Sequence, residues 1–182
     1  MSYTHTSSYI LQPAKLLDIL LLASIEAAAG TIFHTGSLPE NILAERVPHD
    51  IFEDAINQGR LLVAVDADQV PVGYAFWQNI DGSALLAQMD VHPQHGRKGL
   101  GRTLVLQIID QVAKAGFPYL YLTTFSYIPW NAPFYQKLGF AILDAENQPD
   151  FIKDILRDEQ ARGLSNRVAM RYVIQHESLR KS

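Results

Sequence analysis

The sequence predicts a mixed α/β fold in which a central sheet of six or seven strands is flanked by helices. Three observations carry that prediction. Residues 61–92 contain three β-rich runs separated only by short turn-forming segments. From Leu100 onward, apolar residues recur at helical spacing between two strand-like runs, which makes a strand, helix, strand unit with parallel pairing. The 182 residues are 48% hydrophobic and carry no cysteine, enough chain to bury a core without disulfide staples. No repeat or linker divides residues 1–182, so the expectation is one domain.

The elements follow in order. "YILQPA" from Tyr9 is a short strand, and Leu16 to Ala29 is helical by composition. "DIFEDAINQG" is a second helix, stopped by Gly59. Leu61 to Val65, Val72 to Ile80 and Ala84 to His92 form an antiparallel meander broken at Asp66 to Pro71 and at Asp81 to Gly82. The next helix places Leu104, Val105, Ile108, Ile109 and Val112 inward, with Arg102, Gln107, Asp110 and Lys114 opposite. Tyr119 to Phe125 is a strand, "NAPFYQKLGF" holds a short helix, and another strand starts at Phe140. A polar helix over Pro149 to Arg162 and a last strand, "RVAMRYVI", complete the order.

Composition excludes several classes of function. A formal net charge of -4 lacks the basic face that nucleic-acid backbones require. The most apolar segment, Leu16 to Gly30, carries Asp18 and Glu26 and follows no basic leader, so neither a signal peptide nor a membrane span is expected. Absence of cysteine removes thiolate nucleophiles and zinc-thiolate sites and fits a cytoplasmic location. The histidines His5, His49, His95 and His176 show no metal-ligand spacing, so no metal is expected.

Chemistry concentrates in "VHPQHGRKGLGRTL", Val91 to Leu104, where three glycines and three cations join a strand to a helix. Glycine allows positive φ and close approach of backbone, and the N–H groups and dipole of the following helix favour an anion. Gly96, Gly99 and Gly101 match neither the nucleotide P-loop nor the dinucleotide fingerprint. A tight strand-to-helix connection would explain the glycines equally well. The second signal is "NAPFYQKLGF", one helix and one strand later.

Together, "VHPQHGRKGLGRTL" and "NAPFYQKLGF" resemble the GNAT superfamily of acetyl-CoA-dependent N-acetyltransferases, closely from Met89 to Phe140 and in element order from Tyr9 to Ile174. The resemblance implies that Gly96, Arg97, Lys98, Gly99, Leu100, Gly101 and Arg102 hold the pyrophosphate of coenzyme A. It further implies that Met89, Asp90 and Val91 pair through their backbone with the pantetheine arm and polarise the thioester carbonyl. Tyr135 would protonate the departing thiolate, since a phenol with pKa near ~10 keeps its proton at neutral pH. Three positions depart from the family pattern. Gly96 stands where Gln or Arg usually opens the loop, and Gln88 stands where many members have a carboxylate. Asn131 lies closer to Tyr135 than the family's asparagine does, so it would cap the helix, with Pro133 in the first turn, and contact cofactor as well.

The general base is left between residues. Alternation puts Gln88, Asp90 and His92 on one face of their strand and Met89 and Val91 on the other, so Asp90 and His92 could share a site. Glu26, near the end of the first helix, is the alternative, as a holder of the substrate ammonium or a relay for its proton. Phe33, His34 and Trp130 could supply aromatic walls, and Phe134 reads as core. The expected activity is acetyl transfer from acetyl-CoA to a small primary amine, such as an amino acid or an amine-bearing toxin, by direct attack in a ternary complex; a homodimer is left open. Two alternatives stand beside it: a transferase acting on protein N-termini or lysines, and a non-catalytic acyl-CoA sensor.

Overall fold

The computed structural model describes residues 9–33, 42 and 44–175. The chain runs β1 (Ile10–Pro13), α1 (Ile19–Gly30), α2 (His49–Asn57), β2 (Leu61–Val65), β3 (Pro71–Ile80), β4 (Ser83–Val91), α3 (Leu100–Lys114), β5 (Tyr119–Phe125), α4 (Ala132–Lys137), β6 (Ala141–Ile142), α5 (Asp150–Ala161) and β7 (Arg167–Val173). The strands form one seven-stranded sheet in the order β1-β2-β3-β4-β5-β7-β6. Every pairing is antiparallel except β4 with β5. Two expectations are trimmed. The first helix opens with a 3-10 turn at Leu16–Asp18. The strand expected from Phe140 shrinks to Ala141–Ile142, because the Phe140 N–H still bonds the Tyr135 carbonyl at 3.1 Å as part of the preceding helix end.

Two layers of helix cover the sheet. On one face α3 buries Leu100, Leu104, Val105, Ile108 and Val112 against Leu62, Ala64, Ala75 and Leu86, and α4 adds Ala132 and Tyr135 to the same core. Each such aliphatic side chain contributes about 1.5–3 kcal/mol by leaving water. On the other face α1 and α2 bury Ile19, Leu22, Ile25 and Phe52 against Val63, Tyr74 and Phe76. Further along that face α5 places Ile152 against Leu85, Tyr121 and Ala169. Among the described residues no helix is long and apolar enough to cross a membrane.

Strand β4 is irregular where it matters. Phe76 pairs with Gln88 and Trp77 with Leu86, so Ala87 is an extra, unopposed residue. The bulge resets the side-chain alternation. Ala84 and Leu86 before it, and Met89 and Val91 after it, all pack with the α3 core, whereas Ala87 packs with the α1 core. Beyond the bulge, β4 and β5 no longer pair. Their parallel contact is confined to Ala84 with Leu120 and Leu85 with Tyr121, after which the two strands diverge and open a gap through the sheet.

Candidate active site

The gap is a cavity of about 480 Å³ that both faces of the sheet share. Leu86, Met89, Leu122, Asn131 and Tyr135 line it on the α3 and α4 side. Phe33, Ala87, Asp90, Thr123, Phe125, Ile155, Glu159 and Arg167 line it toward α1 and α5. The cavity is thus lined from both faces of the sheet between two separated strands.

Asp90 is held by its cross-strand neighbours. Tyr74 is its register partner on β3 and donates from its hydroxyl to Asp90 Oδ2 at 2.9 Å. Gln88, two residues back on the same strand face, donates from Nε2 to that same oxygen at 2.8 Å. Phe52 of α2 stacks edge-on against Tyr74 with centroids 5.5 Å apart and fixes the phenol. Gly73 keeps the strands close, since a Cβ there would lie 3.1 Å from the Asp90 carbonyl oxygen. Both donors converge on Oδ2, Oδ1 has no hydrogen bond among the described residues, and Asp90 lines the cavity. Burial raises the Asp90 pKa, against the lowering effects of Gln88, Tyr74 and Arg46.

Tyr135 enters from the opposite face. Its ring is wedged edge-on between Phe134 and Phe140, with centroids at 5.0 and 5.6 Å. Its hydroxyl has no hydrogen bond among the described residues, and Tyr135 lines the cavity. Burial pushes its pKa up, the Asp90 charge adds to that rise, and Arg167 opposes it, so Tyr135 stays protonated across the neutral range. Asn131 occupies the N-cap position of α4, as expected, but its side chain makes no capping bond and lines the cavity instead.

The glycine loop lies past the end of β4. Gly99, at φ 81, is the left-handed residue that turns the chain into α3. Arg97 also has positive φ, 59, a strained conformation for a side-chain-bearing residue of a kind that concentrates at binding sites. Gly101 abuts Met89, whose Sδ would lie 3.3 Å from an added Cβ, so the start of α3 presses onto β4. Leu100 is buried, whereas Arg97, Lys98 and Arg102 are exposed. Lys98 Nζ donates to the Tyr9 hydroxyl at 3.0 Å, and that hydroxyl lies 2.9 Å from His95 Nδ1. An anion cradle requires such a cationic, backbone-rich turn against a helix start, and the loop fits a pyrophosphate on those grounds.

Other expected residues fall elsewhere. Asp90 and His92 are not brought together: past the end of β4, His92 caps the turn Pro93–His95, its Nδ1 accepting the Gln94 N–H at 3.3 Å, and it does not line the cavity. Both Glu26 carboxylate oxygens accept the Val47 N–H at 3.1 Å, and Glu26 is not a lining residue. Burial raises the Glu26 pKa, the Val47 bond opposes this, and the nearby Asp90 charge adds to it. Phe33 lines the cavity, and Trp130 meets it edge-on with centroids 6.2 Å apart. His34 lies outside the described residues.

Sequence reasoning missed the wall made by Thr123, Glu159 and Arg167. Arg167 donates from Nε to Glu159 Oε2 at 2.9 Å and from Nη2 to Oε1 at 2.7 Å, with Thr123 Oγ1 within 3.2 Å of Nη2. A signal existed: Ile152, Ile155 and Glu159 share one helical stripe, so a carboxylate stands where the apolar face of α5 meets the sheet.

The fold is shared with acetyltransferases of known structure. N-acetylglutamate synthase from Neisseria gonorrhoeae, complexed with coenzyme A and N-acetyl-glutamate, superposes with a TM-score of 0.71 at 18% identity over 92% of this chain, which spans only 35% of that enzyme. The PaiA N-acetyltransferase of Thermoplasma acidophilum, in complex with coenzyme A, gives 0.69 at 18% identity, covering 91% of this chain and 99% of that one. The ribosomal-protein-S18-alanine N-acetyltransferase of Escherichia coli gives 0.63 at 18% identity over 96% and 99%. Residues 31–140, more than half of the sequence, match the model of the acetyltransferase (GNAT) family, and the chain belongs to that family of acetyl-CoA-dependent enzymes.

Proposed function

We propose that this acetyltransferase modifies a small primary amine by direct attack in a ternary complex, with the amine entering from the α1 and α5 face and the cofactor from the α3 and α4 face. The observation that carries this reading is the gap between β4 and β5, where Asp90 from one face and Tyr135 from the other line one cavity, the Asp90 Oδ1 and the Tyr135 hydroxyl having no hydrogen bond among the described residues. Acetyl-CoA supplies the activated thioester. Backbone N–H groups from Gly96 to Arg102, with Arg97, Lys98 and Arg102, hold its pyrophosphate, and the unpaired edge of β4 over Met89, Asp90 and Val91 orients its arm. Asn131, with its side chain uncommitted to the helix, adds a contact to the arm.

Asp90 Oδ1 accepts the proton of the substrate ammonium, which leaves a nucleophilic amine, and its raised pKa suits a base that must take up and release a proton. Backbone N–H groups at the bulge stabilise the developing oxyanion. As the C–N bond forms and the C–S bond breaks, Tyr135 donates its hydroxyl proton to the departing thiolate, and the proton lost by the attacking nitrogen restores the phenol. Glu26 is near enough to Asp90 for their charges to interact, with Arg46 opposing, and its negative charge favours an incoming ammonium. The test is thiol release from acetyl-CoA across a panel of small amines and peptides. Turnover with small amines is expected; turnover only with peptides, or with nothing, would overturn the reading.

A further inference from the structure

Arg167 is more firmly held than an ordinary surface cation and still has donors to spare. Its Nε and Nη2 grip both oxygens of Glu159, Thr123 Oγ1 donates to Glu159 Oε1 at 2.7 Å, and the guanidinium lies 4.6 Å from the Phe125 ring centroid. The pair is 16% and 10% exposed, so Glu159 neutralises Arg167 inside the wall. Nη1 donates to nothing among the described residues. Arg167 lines the cavity.

Asp90, whose Oδ1 has no hydrogen bond among the described residues, lines the same cavity. The lining therefore carries a carboxylate acceptor, Asp90, and the Nη1 donor of Arg167. A space of about 480 Å³ accommodates a molecule of amino-acid size. Phe33, Phe125, Ile80 and Ile155 supply apolar lining to the same cavity.

We infer that the acceptor is a free α-amino acid with an apolar side chain, its ammonium at Asp90 and its carboxylate on Nη1 of Arg167. The inference rests on the proposed function for the placement of the amine. Because Glu159 cancels the charge of Arg167 at long range, recognition comes from short charge-assisted hydrogen bonds and is selective for a carboxylate in contact. Each bond of this type changes affinity by about 10- to 100-fold.

The test measures binding of reaction products to the protein saturated with CoA, by calorimetry. N-acetyl-L-leucine, N-acetyl-L-leucinamide and N-isopentylacetamide form one series, and the phenylalanine counterparts form a second. The carboxylate is expected to bind about 10- to 100-fold more tightly than the other two in at least one series. The double variant Arg167→Gln, Glu159→Gln leaves no buried charge unpaired and is expected to erase that preference while its affinity for CoA matches wild type. Carboxamide binding equal to carboxylate would mean that a peptide N-terminus is read instead, and would overturn the inference. So would no preference in either series, or a preference that survives the double variant. Failure to bind CoA at all would instead overturn the proposed function, and this inference with it.

Discussion

Asp90→Asn separates proton acceptance from every other task of that side chain. The variant's amide oxygen can still receive the Tyr74 hydroxyl and Gln88 Nε2, now at 2.9 and 2.8 Å on Oδ2, while an NH2 group replaces the free Oδ1. Only the base is lost, so kcat is expected to fall by about 10²- to 10⁴-fold, the usual contribution of a positioned acid or base. Stability moves the other way. Burial raises the folded-state pKa of Asp90 above its unfolded value, so the ionised form is disfavoured in the fold. The stability linked to the protonated carboxyl is fully present below the unfolded value, near ~3.9, and is lost as pH rises through the folded value. Asn has no such loss. Melting scans should show the variant at or above wild type at neutral pH, with a difference that grows across that acidic window and then levels off. Wild-type kcat/KM should fall on the acid side of the raised pKa, and the variant should lack that limb. A variant with kcat within threefold of wild type, or one that melts several degrees lower at neutral pH, would refute the reasoning.

Three further outcomes are expected. Tyr135→Phe keeps the ring packed between Phe134 and Phe140, so the melting temperature should hold while kcat falls toward the lower end of about 10²- to 10⁴-fold; a thiol with pKa near ~8.5 can partly leave unprotonated, so high pH should restore part of the rate. Arg97→Ala removes an exposed cation from the loop and should weaken CoA by about 1–3 kcal/mol, whereas dephosphorylated pantetheine, measured in the same titration, should bind alike to both proteins. Glu26→Gln can still accept the Val47 N–H, so α1 should stay docked; acceptor KM should rise, or turnover fall, with CoA affinity unchanged, and steady-state kinetics with both substrates varied would show it.

Much of this architecture is legible before any coordinates. The strand limits Leu61 to Val65 and Tyr119 to Phe125 follow from short β-rich runs closed by turn residues, and the structure has those limits. Leu100 opens α3 because Gly99 can adopt the left-handed conformation that ends the loop. Other features have no local signature. The bulge at Ala87 is a property of register between β3 and β4, so strict alternation alone would place Leu86 on the same face as Gln88. The convergence of Tyr74 and Gln88 on one oxygen depends on a partner 16 residues away on the neighbouring strand. Thr123, Glu159 and Arg167 meet across separations of 36, 8 and 44 residues, and each alone resembles an ordinary polar residue of its element. Glu26 misleads for a related reason: its carboxylate is satisfied by the Val47 N–H, a backbone group whose position only the tertiary fold supplies.

The most direct test of transfer through the gap between β4 and β5 is an initial-velocity matrix in which acetyl-CoA and a turned-over amine are both varied. Direct attack needs both substrates in the cavity at once, so the double-reciprocal lines should intersect and no acetylated protein should accumulate when acetyl-CoA is added alone. Parallel lines, together with an acetyl group covalently held on the chain, would contradict it.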